Sequence, residues 1–362
     1  MGSKNPINQK VHRRFDLSLR HRWTIANDLG VQGGRTVYPV VFLELSDSLG
    51  RQGLGEASPS SQYAESHETV IRFLHRIDSR FLSFDDIPGS MAYLESVGPG
   101  NFPAKCAVNL ALLDGASKAA GQPLHTFLGL DFPSPGPITS FSIGIDRPEI
   151  MAAKAREAES MPILKVKLGG PNDRANFRAV REAAPLKTIR VDANAAWTSR
   201  DEALKNIEWL ALDGRVEFVE QPMPPTASGT DACWLKERSP LPIFADESYQ
   251  HATDASRVAQ EFHGVNVKLV KTGGATAAKA ALEAARKQGL KTMIGCMIES
   301  SVLISSAAHL ASLADHLDLD GNLLVDNDPY VGVGCHKGRL GFDGNPYATG
   351  IRIGKCPNPP RD

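Results

Sequence analysis

The sequence predicts a (β/α)8 barrel joined to an α+β domain, and three patterns carry that prediction. Eight short apolar segments, "TSFSIGI", "ILKVKLG", "TIRVDAN", "VEFVEQP", "IFADES", "GVNVKLV", "KTMIGC" and "HLDLDG", follow one another from residue 137 onward, with a helical pattern between each successive pair. The repeat of roughly 25 residues, with buried strands and amphipathic helices, suits a closed parallel barrel, an open sheet of seven or eight units being the alternative. Before residue 125 the pattern is mixed, and after residue 324 the chain is rich in Gly, Pro and Asp. The expected divisions are therefore an α+β domain over 1–125, the barrel over 126–324, and a segment over 325–362 that returns toward the first domain.

Within the first division, "VHRRFDLSLR" alternates as a strand does, and "VVFLELSD" and "GLGEAS" read as two more strands around a Gly-containing turn. "ESHETVIRFLHRIDSRF" and "AKCAVNLALLDGASKAAG" then place apolar residues at helical spacing, with Gly121 and Pro123 as a stop for the second. The whole chain of 362 residues is 42% hydrophobic and carries a net charge of −1, which offers no concentrated basic field for nucleic acid or an anionic membrane surface. No apolar run reaches the ~18 residues of a membrane span, and no leader is evident. Five scattered cysteines without a C-x-x-C pair suggest neither a disulfide framework nor a zinc site, and a cytoplasmic location is expected.

A barrel of this kind builds its active site at the C-terminal ends of its strands. Asp192, Glu220 and Asp246 end three consecutive strands at separations of 28 and 26 residues, one β/α unit each. Strand ends are often acidic because they meet solvent, but three in succession converge on one point. Three hard oxygen ligands without His or Cys suit Mg²⁺, with Mn²⁺ as a substitute. Lys165 and Lys167 share parity on the second strand. Their mutual repulsion, with a divalent cation nearby, is expected to lower a lysine pKa and free an amine to act as a base. Lys268 lies four strands from Lys167, across the mouth. Lys271 competes with it, but has the opposite parity and lies beyond the apolar run.

"KVKLGG", "VDANAAW", "VEQP", "ADES" and "NVKLVKTGG", one per barrel unit and in this order, resemble the enolase superfamily, muconate-lactonizing subgroup. "GEASPSSQYAES" and "ALLDGASKAAGQPLHTFLG" are similar to that subgroup's capping domain. The resemblance implies that the α+β domain and the C-terminal tail together cap the barrel. It further implies that Asp192, Glu220 and Asp246 bind one Mg²⁺, that Lys167 and Lys268 are the acid/base catalysts, that Lys165 touches the substrate carboxylate, and that Asn194 and Glu247 support the site. The chemistry is removal of a proton α to a carboxylate through an enediolate. A homo-oligomer is also implied.

Asp318 and Asp320 share parity on the eighth strand, where paired carboxylates would hold a cation such as the α-ammonium group of a dipeptide. A D-x-D there, and "GCMIES" on the seventh strand, resemble the dipeptide epimerases. These would invert the α-carbon of the C-terminal residue by two-base 1,1-proton transfer, with Ser142 and Cys296 lining the substrate site, although Cys296 also reads as a small core residue. N-acylamino acid racemisation, o-succinylbenzoate synthesis and a noncatalytic binding barrel are the alternatives. Epimerases of L-Ala-Glu have an Arg in the loop after the first strand. Here "TIANDLG" offers Asn27 and Asp28, with Arg22 and Arg35 to either side; Asp28 hints at a cationic side chain, although Asn and Asp also favour loop conformations.

Overall fold

The structure, a computed structural model, describes residues 5–26 and 34–357. An antiparallel sheet comes first, in the order β1 (Ile7–Trp23), β2 (Arg35–Asp47) and β3 (Gln52–Ala57). Alternate residues of β2, Val41, Leu43 and Leu45, point to one side and are buried against α1 (His67–Arg76), α2 (Ile87–Val97) and α3 (Phe102–Ala119) through Phe73, Leu74, Leu94 and Leu112. Two glycines let α3 lie directly on β3: a Cβ at Gly53 or Gly55 would meet the carbonyl oxygen of Ala111 or Ala107 at 1.9 or 2.0 Å. Helix α2 lies between the two helices read from the sequence, where no element was expected. "IPGSMAYLESV" contains Pro88 and Gly89, which look like breakers, but Pro88 occupies the first turn and Asp86 caps it by accepting from Gly89 N at 3.0 Å.

After α4 (Leu124–Phe127) the chain alternates as the repeat predicts: β4 (Phe141–Ile143), α5 (Pro148–Glu157), β5 (Ile163–Lys167), α6 (Asp173–Ala183), β6 (Thr188–Asp192), α7 (Arg200–Ala211), β7 (Val216–Glu220) and α8 (Gly229–Arg238). Then follow β8 (Ile243–Ala245), α9 (Ala255–Glu261), β9 (Gly264–Val267), α10 (Leu269–Thr272), α11 (Ala275–Lys287), β10 (Lys291–Gly295), α12 (Ser301–Ala308) and β11 (His316–Asp318). The eight strands are parallel and lie in chain order. Thr139 pairs in parallel with Leu317, and Ser140 N donates to Leu317 O at 3.2 Å, which joins the two ends of the sheet and excludes the open alternative.

Beyond β11 the chain forms short ladders, β12 (Tyr330–Val331) with β15 (Gly354–Lys355) and β13 (Gly334–His336) with β14 (Arg339–Gly341). This segment is tied to the first sheet and its helix: Ser18 N donates to Asn327 Oδ1 at 2.7 Å, and Ile351 N to Asp114 Oδ1 at 3.0 Å. Among the described residues, no helix is long and apolar enough to cross a membrane.

Candidate active site

Parallel register places the acidic residues side by side. Lys167 pairs with Asp192 and Asp192 with Glu220 across β5, β6 and β7, and Asp246 follows the last residue of β8. All three carboxylates are buried, and one oxygen from each lies within 4.8 Å of the others. Glu220 Oε1 accepts from Asn266 Nδ2 at 2.8 Å, while Gln221 Oε1 takes the backbone N–H groups of Asp246 and Ser248 at 2.9 and 3.1 Å. Burial, and then the Asp192 charge, push the Glu220 carboxyl up to about 8. Asp192 and Asp246, although burial would raise them, are instead held below their usual value by the lysines beside them. An all-oxygen, buried and converging donor set fits a hard divalent cation such as Mg²⁺.

Four lysines surround this group. Lys165 Nζ lies 3.2 Å from Asp192, 2.8 Å from Glu220 and 2.6 Å from Asp318. Lys167 Nζ donates to Asp192 Oδ2 at 2.6 Å, and Lys268 Nζ to Asp246 Oδ2 at 2.8 Å. Lys271 Nζ is held by Asp246 Oδ1 and by three backbone oxygens, of Asp246, Tyr249 and Asn266. The strand stops at Val267 and Lys271 lies in the turn of α10, so strand parity does not apply to it; its bonds, not parity, distinguish it from Lys268. For Lys165 the surrounding carboxylates act against the expected lowering. Burial pulls its ammonium down, but Asp318, Glu220 and Asp192 together outweigh that and hold it above the usual lysine value. Lys268 is also raised, burial being overcome mainly by Asp246. Positive charge placed among the carboxylates would act in the opposite direction.

The second carboxylate pair is held differently. Asp318 receives Lys165 Nζ and the Ser140 hydroxyl, the latter at 2.7 Å; burial, which would raise its carboxyl, is overcome chiefly by Lys165, leaving it at about 2. Asp320 accepts from Ser142 N at 2.6 Å and from the Cys296 thiol at 3.7 Å, neither of them a cation. Burial and the Asp318 charge push it up to about 7.

Above these groups opens a cleft of about 470 Å³. Lys167 and Lys268 line it from opposite sides of the barrel, with Ser142, Asn194, Cys296, Asp318 and Asp320. Its upper wall comes from the first sheet and the segment after it, including Trp23, Tyr38 and Gln62. Arg35 also lines it, whereas Asn27 and Asp28 lie outside the described residues. Glu247 Oε1 accepts from Gln62 Nε2 at 2.5 Å, so its hydrogen bond runs to the upper wall, and it acts on Lys268 through charge. Asn194 N donates to Asp192 Oδ1 at 2.9 Å.

Residues 150–328 match the family described as Enolase C-terminal domain-like. An L-Ala-D/L-amino acid epimerase of Pedosphaera parvula is 52% identical over 338 residues, which span 93% of this chain and 97% of that protein. The chain belongs to the enolase superfamily. Within the superfamily, the solved dipeptide epimerase of Cytophaga hutchinsonii, complexed with Mg and D-Ala-L-Val, is 27% identical with a TM-score of 0.87, covering 98% of this chain and 97% of that one. The dipeptide epimerase of Enterococcus faecalis V583, complexed with Mg and L-Leu-L-Tyr, is 29% identical with a TM-score of 0.84, covering 96% and 99%.

Several residues of this superfamily site escape the sequence reading. Asn266 is two residues before Lys268 in "VNVKL", the same parity, and that spacing was the available signal. Ser140 stands likewise two residues before Ser142 and reaches Asp318 across the barrel closure, and Met297 lies within "GCMIES", its sulfur 3.9 Å from Lys268 Nζ. Cys296 is partly exposed and lines the cleft while also packing against the core.

Proposed function

We propose that this chain is a Mg²⁺-dependent dipeptide epimerase that inverts the α-carbon of the C-terminal residue. The observation that carries the reading is Asp320, a buried carboxylate facing the same cleft as two opposed lysines, with hydrogen-bond partners that leave its charge uncompensated. A dipeptide supplies what each end of the cleft requires: a carboxylate toward Asp192, Glu220 and Asp246, and an ammonium group toward Asp318 and Asp320. Bound Mg²⁺ would supply positive charge for the carboxylate as its α-proton leaves.

The α-carbon is then held between Lys167 and Lys268. One Nζ takes the proton from one face while the other returns a proton to the opposite face, and the configuration inverts. Lys165 holds the carboxylates of both ends in place, its ammonium facing Asp192, Glu220 and Asp318, and a substrate carboxylate would have to displace one of these to reach it. The upper wall sets the apolar rings of Trp23 and Tyr38 along the cleft that would hold the reacting carbon. A cytoplasmic location and a homo-oligomeric assembly belong to the same reading; five free cysteines support the first, and the superfamily resemblance alone supports the second.

N-acylamino acid racemisation is the second reading, and one observation favours it. Asp320 at about 7 can stand protonated and donate a hydrogen bond to an acyl oxygen. Incubation with a library of L,L-dipeptides in D₂O tests the proposal. The expected result is deuterium at the α-carbon of the C-terminal residue together with the L,D epimer. Absence of exchange in every dipeptide, with exchange in N-acylamino acids, would transfer the assignment to the second reading.

A further inference from the structure

Glu56, the penultimate residue of β3, has none of its surface exposed and takes no part in the chemistry proposed above. Burying a carboxylate is costly unless its oxygens are bonded, and those of Glu56 bond across to the barrel. Oε1 accepts from Ser300 N at 3.0 Å, and Oε2 accepts from the Ser300 hydroxyl at 2.6 Å and from Leu303 N at 3.1 Å. The neighbouring Ser58 hydroxyl donates to Ile298 O at 2.8 Å. The first sheet thus grips the start of α12 and the loop before it. The grip is anchored at its other end, because Gly53 and Gly55 seat β3 on the backbone of α3.

The loop so held, Cys296 to Ser300, carries three residues of the cleft, Cys296, Met297 and Ile298, and the first two meet charged groups of the site. Cys296 Sγ touches Asp320 Oδ1, and Met297 Sδ lies beside Lys268 Nζ. Inside the loop, Glu299 Oε1 accepts from Met297 N at 3.0 Å, which couples the gripped end to the end that faces Lys268. We infer that Glu56 is a positioning residue for the reaction, a clasp from the first sheet that fixes the 296–300 loop so that Met297 and Cys296 seat Lys268 and Asp320. The inference rests on the epimerase reading for its kinetic consequence, though not for the clasp itself.

Glu56→Gln tests it, because the amide keeps the shape but replaces one of the two accepting oxygens with a donor that faces N–H and O–H groups. Two measurements are needed. In amide hydrogen exchange, peptides covering 296–303 should lose about tenfold or more of their protection while the barrel strands β5 to β8 keep theirs. In D₂O, α-proton exchange at saturating dipeptide, where the Asp320 contact shared by both epimers does not limit the rate, is followed from each epimer of one dipeptide, the epimer served by Lys268 being the one that stops exchanging in Lys268→Ala. Glu56→Gln should slow that epimer by about tenfold and the other by less than about threefold, a split that a general loss of folded protein does not produce.

Equal slowing of both epimers, or unchanged protection of 296–303, would overturn the inference. If Glu56→Gln does not fold, Ser300→Ala removes one of the three donors and is held to the same two outcomes. If the wild-type protein exchanges no dipeptide, the epimerase reading fails on its own, and the amide-exchange measurement still decides the clasp.

Discussion

The two acidic groups at the barrel mouth differ in what neutralises them. Asp192, Glu220 and Asp246 share Lys165, Lys167, Lys268 and Lys271, and Asp318 shares Lys165, whereas Asp320 bonds only neutral donors among the described residues. The first group is an interlocked charge network whose members set one another's ionisation. The second leaves one carboxylate for an incoming cation. A shared protein charge suits chemistry common to many substrates, and an uncompensated one suits recognition of a particular group.

Changes to the first group should be the more severe. Chelation by EDTA is expected to leave no measurable epimerisation, with recovery on adding Mg²⁺, as read by polarimetry. Lys167→Ala and Lys268→Ala should each lower epimerisation by about 10³-fold or more, while each retains exchange of one epimer in D₂O. At the other end, Asp320→Asn should raise KM for a free dipeptide by about tenfold to a hundredfold, the equivalent of ~1.5–3 kcal/mol for a charge-assisted contact. The same variant should alter turnover of the matching N-acetylated compound by much less, as steady-state kinetics of the pair will tell.

A further effect, no larger than that of Asp320→Asn, is one of pH. Asp320 is raised from 3.8 to about 7 by burial and Asp318, so it becomes neutral as pH falls below 7 and loses its attraction for ammonium. KM for a dipeptide should therefore rise by roughly tenfold per unit toward pH 5, a slope that Asp320→Asn removes. For folding the sign is the reverse. A carboxyl raised in the folded state contributes stability that is complete below 3.8 and is lost as pH rises through about 7. A bound dipeptide should accordingly raise Tm more at pH 8 than at pH 5.

The barrel and its acidic triad were legible because each β/α unit delivers one strand end, so that linear spacing reports spatial convergence. Asp246, Lys268 and Asp320 lie one or two residues beyond their strands, where the mouth begins, so that parity on the eighth strand covers Asp318 but not Asp320. The ionisation of Lys165 was not legible: the decisive partner, Asp318, lies 153 residues away and reaches it only once the barrel closes. Helix α2 was hidden by Pro88 and Gly89, whose meaning reverses once Asp86 caps the turn. The Glu56–Ser300 contact, at a separation of 244 residues, leaves no local pattern at all.

The central claim is that the uncompensated Asp320 selects a free ammonium group. It is tested most directly by kcat/KM for one L,L-dipeptide against its N-acetylated counterpart, both followed by α-proton exchange in D₂O with saturating Mg²⁺. The free dipeptide should be preferred by at least about tenfold, and Asp320→Asn should erase the preference. Equal turnover of the two compounds by the wild-type protein would contradict it.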